Sequence, residues 1–130
     1  MGHEKDTTII FKEECYVIQG AIFDVYREMG CGFLESVYQE CLEIEMSKRK
    51  IPFTSQHNLK LSYKGEELHQ TYKPDFICFE KVIVELKTAN RITAGHEAQI
   101  LNYLKATGIK LGLLVNFQGH PKVDIKRFVL

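Results

Sequence analysis

From about Lys12 to Met29, apolar residues Ile18, Ile22, Val25 and Met29 recur at spacings of three and four, which predicts an amphipathic helix that Gly30-Cys31-Gly32 breaks. A second helical period runs from Phe33 to about Lys50. It puts Leu34, Val37, Cys41 and Ile44 on one face, with Tyr38 and Leu42 beside it, and Pro52 is expected to end it. The period then changes to two. Leu59, Leu61 and Tyr63 alternate with polar residues, Lys64-Gly65-Glu66 makes a turn, and Leu68, Gln70 and Tyr72 continue as the second strand of a hairpin, which Pro74 interrupts.

Phe76 to Phe79 and Val82 to Lys87 are dense enough in apolar residues to be strands buried on both faces, joined around Glu80-Lys81. Ala94 to Thr107 returns to helical period through Ala98, Leu101 and Leu104, with Gly108 as its stop. Leu111 to Phe117 is another buried strand, and a right-handed crossover would lay it parallel to the Val82 strand. Asp124 to Leu130 supplies a last short strand. The expected order is ααβββαββ: two helices, a three-strand meander, a crossover helix and two strands, an α/β sandwich around a mixed sheet.

The 130 residues suit one domain, and 45% apolar with 26% charged residues is a globular composition. No run approaches the roughly 20 apolar residues of a membrane helix. The polar start MGHEKDTT lacks the apolar stretch of a signal peptide, and Asp6 breaks the myristoylation pattern, so a cytoplasmic location is expected. Cys15, Cys31, Cys41 and Cys78 form no C-x-x-C pair and read as buried free thiols. Net charge is zero, which neither announces nor excludes a nucleic-acid partner. Lys48, Arg49 and Lys50, and again Lys122, Lys126 and Arg127, read as solvated faces, with phosphate contact the alternative.

Candidate chemistry lies where stability alone would not put charge. In VIVELK, alternation places Glu85 and Lys87 on one face with Ile83, about 6–7 Å apart, inside the most apolar part of the chain. Asp75 precedes them by one strand, and two carboxylates converging there can hold Mg²⁺. Lys87 can orient or help deprotonate an attacking water and neutralise charge growing on a phosphorane. Taken alone, Glu-x-Lys also describes any exposed strand pair, and Asp75 could merely cap the turn after Pro74. His96-Glu97 begins like a zincin helix, but Ile100 stands where the second histidine belongs, so His96 reads as a helix-start residue. There is no P-loop, G-x-G-x-x-G, G-x-S-x-G or histidine pair at metal spacing.

Register decides whether the carboxylates meet. A two-residue loop at Glu80-Lys81 would set Phe79 opposite Val82 and turn Asp75 to the other face from Glu85. An odd loop count is required, or a bulge near Pro74. A three-residue loop centred on Glu80 sets Asp75 opposite Glu85; one centred on Lys81 sets it opposite Lys87.

Four strings in order carry a family resemblance. Pro74-Asp75, nine residues, then Glu85-Leu86-Lys87 resembles the PD-(D/E)XK signature. Upstream, Gly32, Glu35 and Tyr38 match G-x-x-E-x-x-Y, and downstream Gln99 and Tyr103 match the Q-x-x-x-Y motif of the RecB-type exonuclease branch. Together they resemble the GxxExxY protein family of the PD-(D/E)XK nuclease superfamily, from about Gly30 through Arg127. The resemblance implies a restriction-endonuclease-like core, a central mixed sheet flanked by helices. It implies an active-site set of Glu35, Asp75, Glu85 and Lys87 supported by Gln99 and Tyr103, and a metal site of Asp75, Glu85, the Leu86 carbonyl and Glu35 taking Mg²⁺ or Mn²⁺.

Glu35 would reach the metal directly or through water; the plainer reading is complementation of the helix dipole. Gln99 and Tyr103 share a helix face and could look back at Lys87, although core packing is the competing role for Tyr103. The expected function is Mg²⁺-dependent hydrolysis of phosphodiester bonds, in DNA before RNA, with specificity supplied by a homodimer or a partner protein. The alternative is a catalytically silent nucleic-acid-binding or protein-interaction module on the same fold.

Overall fold

VIVELK, the most apolar segment of the chain, becomes the centre of the sheet. In the computed structural model, which describes residues 10–130, it is β5 (Val82–Lys87), and Val82 through Leu86 are all buried. Preceding it are α1 (Lys12–Met29), α2 (Glu35–Lys48), β1 (Phe53–Ser55), β2 (Leu59–Tyr63), β3 (Glu66–Tyr72) and β4 (Phe76–Cys78). Following it are α3 (Ala94–Thr107), β6 (Leu111–Asn116) and β7 (Asp124–Val129). The polar start, read above as lacking a targeting segment, lies outside the described residues. Among those residues, no helix is long and apolar enough to cross a membrane.

The central sheet runs β1-β4-β5-β6-β7. Its β5–β6 pair is parallel and joined through α3, as the crossover required, while the flanking pairs are antiparallel. The mixed sheet flanked by helices is the expected fold class. The element order differs from ααβββαββ, because five strands rather than three separate α2 from α3. β1 has only three residues after Pro52, too few to show an alternation, and it pairs with β4 as an edge strand. The meander does not form either. Pro74 ends the run after Tyr72, and β2–β3 fold as a separate two-stranded sheet with a register shift between Lys60 and Ser62.

Each face of the sheet has its own core. One face carries Phe76, Cys78, Val84 and Leu86 under α1 and α2, whose buried side chains include Ile18, Ile22, Tyr38, Leu42 and Met46. The other carries Ile77 and Ile83 under Leu104 of α3 and Leu59, Leu61 and Tyr72 of the hairpin. Gly112 lets α3 sit close on this face, since a Cβ there would meet Ile100 Cδ1 at 2.9 Å. Leu104 is fully buried, so Leu104→Ala is expected to cost about 2–5 kcal/mol by leaving a cavity under α3, read as a lower urea midpoint.

α2 is rotated from its expected face. Tyr38, Leu42 and Met46 are buried, whereas Leu34 and Ile44 are 74% and 51% exposed. Both stripes have helical spacing; the rings decide, because Tyr38 stacks on Phe117 with centroids 4.3 Å apart. The helix also stops at Lys48, before Pro52, as Lys50 takes a left-handed conformation at φ 59°. In α3 the buried positions are Ile100 and Leu104, with Leu101 partly buried and Ala98 exposed. Of the four thiols, all free, Cys15 and Cys78 are buried, Cys41 is half-buried and Cys31 is exposed. His96 does start a helix: it exchanges capping hydrogen bonds with Thr93.

Candidate active site

The turn after β4 sets the geometry. Phe79 and Glu80 both take positive φ, 57° and 58°, and the Lys81 N–H donates to the Cys78 carbonyl at 2.9 Å. The ladder closes with Cys78 opposite Val82, Ile77 opposite Ile83 and Phe76 opposite Val84, a three-residue loop centred on Glu80. No bulge is needed. The next pair in this register is Asp75 and Glu85, on the same face as Ile77 and Ile83.

Hydrogen bonds lock that pair. The Asp75 N–H donates to Glu85 Oε2 at 3.0 Å, and the Leu86 N–H donates to Asp75 Oδ2 at 2.8 Å. Gln56 Nε2 holds Asp75 Oδ1 at 3.0 Å, and the Asp75 carbonyl accepts from the Gln56 N–H and from Gln39 Nε2 of α2. The Tyr72 hydroxyl donates to Glu85 Oε2 at 2.9 Å. Glu85 is only 8% exposed. Burial raises its carboxyl to about 7, the Asp75 charge adds to the rise, and Lys87 opposes it. Burial also raises Asp75, against the pull of the Leu86 N–H, Gln56 and Lys87.

Glu35 stands at the exposed start of α2, at the same end of the sheet. Desolvation by its surroundings raises its carboxyl, the Asp75 charge raises it further, and Lys87 lowers it. Each residue of the upstream motif has a structural task. Gly32 takes φ 108°, a conformation side chains rarely adopt. The Tyr38 hydroxyl donates to the Gly30 carbonyl and accepts from the Phe33 N–H, tying the loop that delivers Glu35 to the core. Tyr38→Phe is expected to cost about 1–3 kcal/mol in chemical denaturation, since both loop groups lose their partner.

Tyr103 stacks on Tyr72, centroids 3.5 Å apart, and so meets the site through Tyr72 rather than Lys87. Its hydroxyl is raised by burial and by the Glu85 charge, and the Gln99 side chain acts the other way. Gln99 itself is exposed. Of the basic clusters, Arg49 pairs with Glu45 and Asp24, Lys126 with Glu97, and Arg127 donates to the Ile10 carbonyl.

Three participants escaped the sequence reading. Tyr72 had a signal: a tyrosine on an apolar strand face needs a partner for its hydroxyl. Asn116, buried at the end of β6, accepts from the Ala89 and Gln118 N–H groups and donates to the Ala89 carbonyl, fixing the chain just past Lys87. Gln56 reaches Asp75 from a loop residue at φ 54°, and no local pattern announces it.

Among the described residues, no three His, Cys, Asp or Glu side chains gather closely enough to hold a metal ion, so Glu35 does not join Asp75 and Glu85 as a third carboxylate ligand. What the site offers is an open oxygen set. No described residue donates to Glu85 Oε1, and every buried side-chain oxygen among them has a partner, so Oε1 opens to solvent. The N–H and C=O of one extended residue leave a strand on the same side, so the Leu86 carbonyl points with its N–H toward Asp75, beyond the last β4 pair. Two carboxylates, a carbonyl and open positions suit a hard divalent cation that keeps several waters.

A family model described as the PD-(D/E)XK nuclease superfamily matches residues 12–128, from the first helix through the last strand. The chain belongs to the PD-(D/E)XK nuclease superfamily. Nucleases of this superfamily generally use divalent metals, and membership points to nuclease-type chemistry with nucleic acid as the implied class of substrate. Among solved structures, the chain is similar to the one titled "Crystal structure of SSO0001", with a TM-score of 0.56 and 15% identity. The likeness covers 72% of this chain and 48% of that protein, so the chain spans about half its length; at this identity it shows a shared fold. No curated protein matches the sequence.

Proposed function

We propose that the chain is a Mg²⁺-dependent nuclease hydrolysing phosphodiester bonds in DNA, of the GxxExxY type within the RecB-type branch. The observation that carries the reading is the direct facing of Asp75 and Glu85, a half-buried and a buried carboxylate that repel one another and leave an oxygen open to solvent. Such a pair raises the energy of the fold unless a proton or a cation neutralises it, and a divalent cation does so at a pH where both carboxylates are ionised. The family strings Gly32-x-x-Glu35-x-x-Tyr38 and Gln99-x-x-x-Tyr103 support the finer placement, since both converge toward this end of the sheet. Free thiols, two of them buried, are compatible with a reducing cytoplasmic setting.

A divalent cation in this site would supply Lewis-acid polarisation of a phosphoryl oxygen. Asp75, Glu85 and the Leu86 carbonyl would hold it. Lys87 shares the strand face of Glu85 and leaves β5 half-buried, where its ammonium can orient the attacking water and offset charge building on the phosphate. Glu35, with its raised carboxyl, can hold or pass on the proton that the water gives up. Asn116 keeps Lys87 in place by pinning Ala89.

Labelled single-stranded, duplex and flapped DNA and RNA, incubated with Mg²⁺, Mn²⁺ or chelator, test the reading. Cleavage of DNA that needs the ion and vanishes in Glu85→Ala is expected. Cleavage that survives Glu85→Ala or chelation, or no cleavage of any substrate, would count against it.

A further inference from the structure

The hairpin β2–β3 shares no strand pairing with the central sheet, yet its last residue reaches the centre of the site. Tyr72 is 4% exposed, pairs with Leu59 within the hairpin, and packs with Ile83 and Leu104. Its ring stacks on Tyr103 of α3 at an interplanar angle of 19°, which leaves the ring little freedom to turn. The hydroxyl therefore has a fixed direction, and it donates to Glu85 Oε2, the same oxygen that takes the Asp75 N–H. Two donors on one oxygen set the plane of the carboxylate and leave Oε1 toward solvent.

We infer that Tyr72 is a positioning residue for the metal-ligating carboxylate of Glu85, through which the hairpin and α3 hold the site in register; the inference rests on the function proposed above. Without the hydroxyl, Glu85 keeps one donor and its side chain can rotate about the bond that the second donor now blocks. The loss should appear in cation affinity itself, because outer partners of a ligand orient it before the cation arrives.

Calorimetric titration of the full chain with Mn²⁺ alone tests this. Tyr72→Phe keeps the ring and its stack and is expected to weaken Mn²⁺ binding about 10–100-fold, the usual range for removing such a partner. Tyr63→Phe, on the exposed part of the same hairpin, should bind like the parent. Tyr103→Leu, which removes the stacked ring and spares the Tyr72 hydroxyl, should weaken binding by a smaller factor and serves if Tyr72→Phe does not fold. Parent-like affinity in both Tyr72→Phe and Tyr103→Leu, beside lost binding in Glu85→Gln, overturns the role of Tyr72 while the metal site stands. Glu85→Gln binding as tightly as the parent overturns the metal site, and the role of Tyr72 with it.

Discussion

Glu85→Gln is expected to make the metal-free protein more stable at alkaline pH than the parent, while removing cation binding and cleavage. The folded carboxyl sits at about 7 against 4.5 for an ordinary glutamate. Between those values the folded state keeps a proton that the unfolded chain has released, so stability falls as pH rises through this window and levels off above it. The groups facing Glu85 are Tyr72 from β3, Asp75 before β4, Lys87 on its own strand and Tyr103 from α3; of these, Asp75 raises the carboxyl while Tyr72 and Lys87 lower it. The drop should amount to about 3 kcal/mol. Glutamine keeps an oxygen for the Tyr72 hydroxyl and the Asp75 N–H but carries no charge to bury. Chemical denaturation in chelator near about pH 5 and about pH 8 reads the difference, with the parent losing stability and the variant losing less. Parallel pH profiles for the two proteins would show that Glu85 is not the strained group.

Lys87→Ala should separate binding from chemistry. Lysine is not a cation ligand, so Mn²⁺ binding should persist, with its onset moved to higher pH because Lys87 pulls down the carboxyls of Asp75, Glu85 and Glu35. Cleavage should fall by about 10²–10⁴-fold, the contribution of a positioned proton-handling group. Lys87→Arg should not restore it, since the wider planar guanidinium stays protonated and cannot occupy the place of an ammonium beside a water. Single-turnover cleavage at saturating Mn²⁺ measures the chemistry, and calorimetric titration with Mn²⁺ across pH measures the binding. A Lys87→Ala protein that cleaves like the parent would remove the lysine from the mechanism.

The parts of this fold that were legible in the sequence are those whose signal is local. A period of 3.6 marked the three helices among the described residues, a period of 2 the β2–β3 hairpin and apolar density the central strands, and the parity of the β4–β5 connection reduced the loop to a few choices, of which the structure takes the one centred on Glu80. Partner choice was not local. The face of α2 was misread because Leu34 and Ile44 have the same spacing as Tyr38, Leu42 and Met46, and only the Phe117 ring across the sheet separates them. β1 was missed because three residues cannot display a period, and the hairpin left the central sheet because Pro74 cannot continue its ladder. In the site, Asp75, Glu85 and Lys87 stood out as charges in an apolar segment. Tyr72, Gln56 and Asn116 reach it by contacts across 13, 19 and 27 residues of sequence, which no motif spacing encodes.

Asp75, Glu85 and the Leu86 carbonyl are expected to form one cation site. Crystals of the parent and of Asp75→Asn soaked in Mn²⁺, with data collected for anomalous scattering, test it most directly. An anomalous peak is expected within coordination distance of Asp75 Oδ, Glu85 Oε1 and the Leu86 oxygen, lost or sharply reduced in Asp75→Asn. A saturating soak that leaves this position empty, or a peak that keeps its height in Asp75→Asn, would contradict it.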